Sequence, residues 1–145
     1  MTRINLVEPE ELMDQHLLAE YREVRLLCRN LLRTLNSKHG FVPAKVPALF
    51  TLNTGHVYFF YNKGQYLHKR YDALRAEMRK RGMNPQFDFP RENWPDRLYN
   101  DWKANERDKD IVRERIAFRI SQKPGWYKYY GKSVKPTSNV TIRDS

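Results

Sequence analysis

PEELMDQHLLAEYREVRLLCRNLLRTLN, residues 9–36, decides the fold class. Leu17, Tyr21, Val24, Cys28, Leu31 and Leu35 recur within it at gaps of 4, 3, 4, 3 and 4, the spacing that lines one face of an α-helix with apolar side chains. Pro9 suits a first helical position, Glu10 and Glu11 suit the positive end of the helix dipole, and the SKHG segment offers Gly40 as a stop. A helix is therefore expected over 9–36. Two polar stripes share it: Arg22, Arg25, Arg29 and Arg33 at gaps of 3, 4 and 4, and His16, Glu20 and Glu23 at gaps of 4 and 3. One reading gives this helix a core face, a phosphate-binding face and a catalytic face; the other makes it a solvated charged helix with internal ion pairs.

Downstream, Pro43 and Pro47 and the lack of helical period make 41–53 an irregular connector. TGHVYFFYNK then concentrates apolar and aromatic residues at 57–61, as buried core at the entrance to a helix, with His56 a hydrogen-bonded structural histidine. Leu67, Tyr71, Leu74 and Met78, at gaps of 4, 3 and 4, predict a helix over 62–81 stopped by Gly82. The basic run Arg79, Lys80 and Arg81 suits dipole capping and phosphate contact equally. Between 83 and 109 three prolines and several acids mark scaffold, with Trp94, Leu98 and Trp102 at gaps of 4 predicting a short docked helix. A last helix over 109–122 turns Val112, Ile116 and Ile120 inward and Arg115 and Arg119 to another face, and Pro124 ends it. Residues 133–145 carry no apolar period and read as a disordered basic tail. The expected fold is all-α: a compact single domain, 1–132, of about three main helices with irregular loops.

Twenty-seven Lys and Arg against 17 Asp and Glu give a net charge of +10, which points to a polyanionic partner. No run approaches the roughly 20 apolar residues of a transmembrane helix, and the N-terminus lacks a signal-peptide core. A soluble intracellular protein without membrane association is expected. The single Cys28 rules out an internal disulfide and reads as a small core residue. WYKYYGK, residues 126–132, alternates aromatic rings with lysines, a pattern that stacks bases while holding phosphates; closing the core as a C-terminal plug is the other use of such rings.

Thr2, small and next to the initiator Met, permits removal of Met1. The freed α-amine has a reference pKa of roughly 7.7–8.0 against about 10.4 for lysine, so roughly a tenth of it is neutral at pH 7. Neighbouring arginines would disfavour the ammonium form further. An arm of the seven residues 2–8 reaches at most about 23–25 Å, enough to lie back along the first helix and bring that amine to Glu23, about 21 Å from Pro9. The other reading is a frayed terminus and a solvated helix acid. No CxxC, HExxH, P-loop, GxGxxG or EF-hand pattern is present, and the acids form no cluster suited to a catalytic metal; no metal and no cofactor are expected.

MTRINL, DQHLLAEYRE, GHVYFFYNK, KRGMN and WYKYYGK follow one another in that order, and together they resemble the pyrimidine-dimer DNA glycosylases of the phage endonuclease V type. The resemblance runs from Met1 to about Lys132 and is weakest between 83 and 110. It implies a mostly helical glycosylase with apurinic/apyrimidinic lyase activity on ultraviolet-induced cyclobutane pyrimidine dimers. Its partner would be double-stranded DNA carrying dimers or abasic sites, met by a monomer in the cytoplasm, associated with the nucleoid, or inside a host cell if the source is viral. By the same resemblance Thr2 attacks C1′ of the dimer's 5′ nucleotide to leave an imine, and Glu23 stabilises the cationic sugar and assists β-elimination. Arg3, His16 and Arg22 fall near the site, Arg115 matches a phosphate-contacting arginine, and Arg119 stands where such enzymes have lysine. Trp126, Tyr127, Tyr129 and Tyr130, interleaved with Lys128 and Lys132, match the segment tied to damaged DNA. Arg25 departs from the family pattern by one position, a rotation of about 100° on a helix. Such enzymes kink the duplex and extrude a base opposite the lesion. A non-catalytic nucleic-acid-binding module, and the same chemistry on another damaged pyrimidine, are the alternatives.

Overall fold

The computed structural model describes residues 3–133; Thr2, as the expected nucleophile, and the expected tail beyond Ser133 lie outside them. The fold is all-α, with one small hairpin. Its elements are α1 (Asp14–Leu35), α2 (His56–Phe59), α3 (Gly64–Lys80), α4 (Glu106–Gln122) and the strands β1 (Lys128–Tyr129) and β2 (Lys132–Ser133). The long helix α1 is central and packs on α3. The expected apolar faces form the core: Leu17, Tyr21, Val24, Cys28 and Leu31 from α1 meet Leu67, Tyr71, Leu74 and Met78 from α3, all buried, with Val112 of α4 beside them. Phe59 and Phe60 of α2 complete it, and Phe50 and Trp102 pack edge-to-face on Phe59.

The first helix does not start at Pro9. Pro9–Glu11 is a separate 3₁₀ turn, and Leu12 and Met13 are extended before α1 begins at Asp14. Burial is the cause: Leu12 enters the main core and Met13 a second cluster with Ile120 and Tyr127, which a continuous helix would not allow. The guanidinium of Arg81 takes over the freed carbonyls, donating to Leu12 O at 2.7 Å and Pro9 O at 3.2 Å and to Asp14 Oδ1 at 3.0 Å. Its side chain is buried, so Arg81, unlike the exposed Arg79 and Lys80, is structural rather than phosphate-facing. Glu11 serves no dipole; it forms a two-pronged ion pair with Arg113 of α4, both contacts at 3.0 Å.

Glu20 is the second correction. Its carboxylate lies in the core, fully buried, and accepts from Arg70 Nε at 2.7 Å and Arg70 Nη2 at 2.9 Å. The stripe of His16, Glu20 and Glu23 is therefore not one functional face. Arg70 also donates to Val7 O, so the pair fastens the N-terminal arm as well as joining α1 to α3. Residues 91–98 dock where a helix was expected but form two 3₁₀ turns, Arg91–Asn93 and Asp96–Leu98, split by Pro95. The docking demands Gly64: a Cβ there would stand 2.5 Å from Trp94 Cε3. Trp94 Nε1 donates to Cys28 Sγ at 3.4 Å, and burial pushes that thiol up to about 12, which keeps it an inert core group.

α4 starts three residues before the expected Lys109, because Asn105 and Asp108 form a capping box. After it, the WYKYYGK segment folds into a hairpin pairing Lys128 with Ser133 and Tyr129 with Lys132. Tyr130 and Gly131 both have positive φ, 51° and 80°, the two-residue turn that matches strand twist and for which Gly is the natural second member.

Candidate active site

A cleft of about 190 Å³ opens where four segments meet. The first two turns of α1 supply Gln15, His16 and Ala19, α4 supplies Arg115, Ile116 and Arg119, the N-terminal arm supplies Arg3 and Asn5, and Trp126 and Tyr127 close the remaining side. Met13, Ile120 and Tyr127, packed with Ile116, form a small apolar cluster at this end of the molecule. The arm is held in place by contacts made far along the chain. Ile4 N donates to His56 Nε2 at 3.0 Å, His56 Nδ1 donates to Thr51 O at 2.8 Å, and Arg3 Nε donates to Leu52 O at 2.8 Å. His56 is thus a hydrogen-bonded structural histidine, as its sequence context suggested, and its job is to anchor the arm.

The lining is cationic. Arg3, Arg115 and Arg119 border the cleft, and among the described residues no carboxylate lines it. Burial, then the charges of Arg119 and Arg3, lower the pKa of Arg115 from its usual value. His16 feels the same field: burial first, then Arg115 and Arg119, bring its pKa down to about 4, so it is neutral at pH 7. Its ring stacks on Tyr127 at 4.6 Å between centroids, and its buried Nδ1 has no hydrogen-bond partner among the described residues. A concave surface of three guanidiniums, a neutral imidazole and an exposed indole suits a phosphate together with a base or sugar.

Glu23 stands one turn beyond Ala19 on α1, half-buried. Burial raises its carboxyl above the usual carboxylate range; Arg3 pulls the other way and Glu20 adds to the rise. A carboxyl with a raised pKa beside a cation is suited to exchanging protons during a reaction.

The structure brings together Arg3, His16, Arg115, Arg119, Trp126 and Tyr127, with Glu23 adjacent. It does not bring Arg25 there: that guanidinium lies 4.0 Å from the centre of the Phe87 ring and 5.9 Å from that of Tyr21. Arg22 is exposed on α1. The aromatic string is not uniformly exposed. Trp126 is 51% exposed and Tyr127 buried, whereas the hydroxyls of Tyr129 and Tyr130 donate to the protein's own groups, to Glu10 O at 2.7 Å and to the Glu77 carboxylate. Arg81 lies over both rings, 4.8 and 4.6 Å from their centres. Lys128 and Lys132 are exposed on the hairpin. Sequence reasoning missed Gln15 and Asn5, whose neutral side chains carry no signal of their own. Among the described residues no group of three His, Cys, Asp or Glu could hold a metal ion, and no helix is long and apolar enough to cross a membrane. A sequence-family model described as pyrimidine dimer DNA glycosylase matches residues 1–90.

Proposed function

We propose that this chain, which belongs to the pyrimidine dimer DNA glycosylase family, frees the 5′ base of a cyclobutane pyrimidine dimer from its sugar through the α-amine of Thr2 and then nicks the strand as a lyase. The observation that carries the reading is the family match, because the matched stretch contains both Thr2 and Glu23. Arg115, Arg119 and Trp126 lie beyond it, and their part rests on the cleft geometry.

Attack of the neutral amine on C1′ of the dimer's 5′ nucleotide forms an N–C1′ bond as the glycosidic bond breaks, its electron pair leaving with the pyrimidine. Loss of the amine proton and opening of the sugar give an imine. Removal of a C2′ proton then expels the 3′ phosphate oxygen, and water frees the amine by hydrolysing the imine. Glu23 offers a negative charge to the cationic sugar and accepts or returns the protons of these steps. Arg3, Arg115 and Arg119 hold phosphates beside the lesion, and Arg22, Lys128 and Lys132 add attraction to the flanking duplex. Trp126 offers a stacking face, and extrusion of a base is cheapest where pairing is already damaged. No step asks for a metal, so a chelator is expected to leave the rate unchanged.

The test is to block the amine. Protein with Met1 retained, or carrying an N-terminal tag, is expected to bind dimer-containing duplex yet release no base; full activity from such protein would remove Thr2 from the mechanism. Duplexes with oxidised pyrimidines and pre-formed abasic sites, assayed in parallel, measure how far the chemistry is confined to dimers.

A further inference from the structure

We propose that Gln15 is a positioning residue that sets Trp126 and Tyr127 as one wall of the DNA-binding cleft. The role rests on the glycosylase reading above and deepens it. Gln15 Nε2 donates to Trp126 O at 2.8 Å, and Gln15 Oε1 accepts from Lys128 N at 3.0 Å. One side-chain amide therefore grips the backbone on both sides of Tyr127, across more than a hundred residues of sequence. The next residue on α1, His16, stacks on the Tyr127 ring. The residue before it, Asp14, accepts from Tyr130 N at 3.1 Å and Gly131 N at 2.8 Å. Three consecutive residues at the start of α1 thus hold three successive parts of the C-terminal segment: Asp14 its turn, Gln15 its backbone and His16 its ring.

The division of labour has a physical reason. A primary amide combines a donor and an acceptor at a fixed separation, as bridging a carbonyl and an N–H two residues apart requires. Trp126 is half-exposed; the ring of Tyr127 meets it edge-on at 4.8 Å and Lys123 Nζ lies 4.8 Å from its ring centre. A stacking surface binds more tightly when it is ordered before the ligand arrives, and the amide supplies that order.

Gln15→Met keeps the length of the side chain and removes both hydrogen bonds. The indole N–H signal of Trp126 is expected to show increased fast motion in heteronuclear relaxation measured without DNA. Affinity for dimer-containing duplex is expected to fall about tenfold, the loss disappearing from the imine-forming rate at saturating DNA, as for a group that orders a contact rather than makes it. Combined with Trp126→Ala, Gln15→Met is expected to cost nothing further, because both act through one contact. Fully additive losses would overturn the proposal by making Gln15 a direct DNA ligand, and so would unchanged affinity in a variant whose indole has become mobile. A wild-type protein without preference for dimers would instead overturn the glycosylase reading and the role assigned to the clamp within it; the relaxation result, read without DNA, separates the two failures.

Discussion

Two sets of arginines in this molecule meet opposite conditions. Arg70 is wholly buried against Glu20, which raises its pKa despite the burial that lowers it, and Arg81 is held by Glu77 and Asp14 in the same way. In the cleft, Arg115 is pushed down by burial and by the charges of Arg119 and Arg3. The first set is paired for folding. The second brings like charges together on one concave surface, and such a site marks where an anion is expected.

Breaking the first set produces the largest effect. Glu20→Gln leaves Arg70 charged and buried, and is expected to cost about 3–5 kcal/mol of stability, read from urea unfolding; a loss under 1 kcal/mol would deny the pair its role. Glu23→Gln, one turn away on the same helix, should do the reverse. Base release is expected to fall by about 10²–10³-fold while the unfolding midpoint and duplex binding are kept, since burial already disfavours the charged form of Glu23.

The histidines provide the next contrast. In the folded protein both His16 and His56 titrate near 4 against an ordinary 6.5. Above pH 6.5 neither the folded nor the unfolded chain is protonated there and the stability is full. Between 6.5 and 4 the unfolded chain takes up protons that the folded one refuses, so stability falls, by on the order of 2–3 kcal/mol for buried His56. Calorimetry across pH 4–7 measures the slope. Arg115→Gln gives the smallest and most selective changes. Duplex affinity is expected to drop and its salt slope to shrink by about one. His16, lowered by burial and then by the charge of Arg115, should move back toward its ordinary pKa further than His56, where burial and Arg3 outweigh Arg115. Equal movement, followed by NMR, would mean that the cleft does not focus the field.

The periodic parts of the fold were legible in the sequence: Leu17 to Leu31 on α1 and Leu67 to Met78 on α3 are buried as their spacing requires. What spacing hides is where a partner sits far along the chain. Glu20 reads as one more helix acid until Arg70, fifty positions away, meets it, and the break at Leu12–Met13 follows from two cores and from Arg81. The start of α4 was readable in principle, since Asn105 and Asp108 carry capping-box spacing. In the site, the resemblance supplied Glu23, Arg3, His16 and the α4 arginines; Arg3, His16, Arg115 and Arg119 line one cleft, and Glu23 stands one turn beyond its Ala19. Gln15 and the inward engagement of Tyr129 and Tyr130 were not legible, because a neutral amide and a tyrosine hydroxyl look alike in sequence whether they face protein or DNA.

The most direct test is borohydride trapping of the processed protein on a duplex bearing one thymine dimer. An amine mechanism predicts a covalent protein–DNA band whose linked peptide maps to Thr2, absent when Met1 is retained. A band linked through a lysine, or none on either dimer or abasic DNA with Met1 removed, would contradict it.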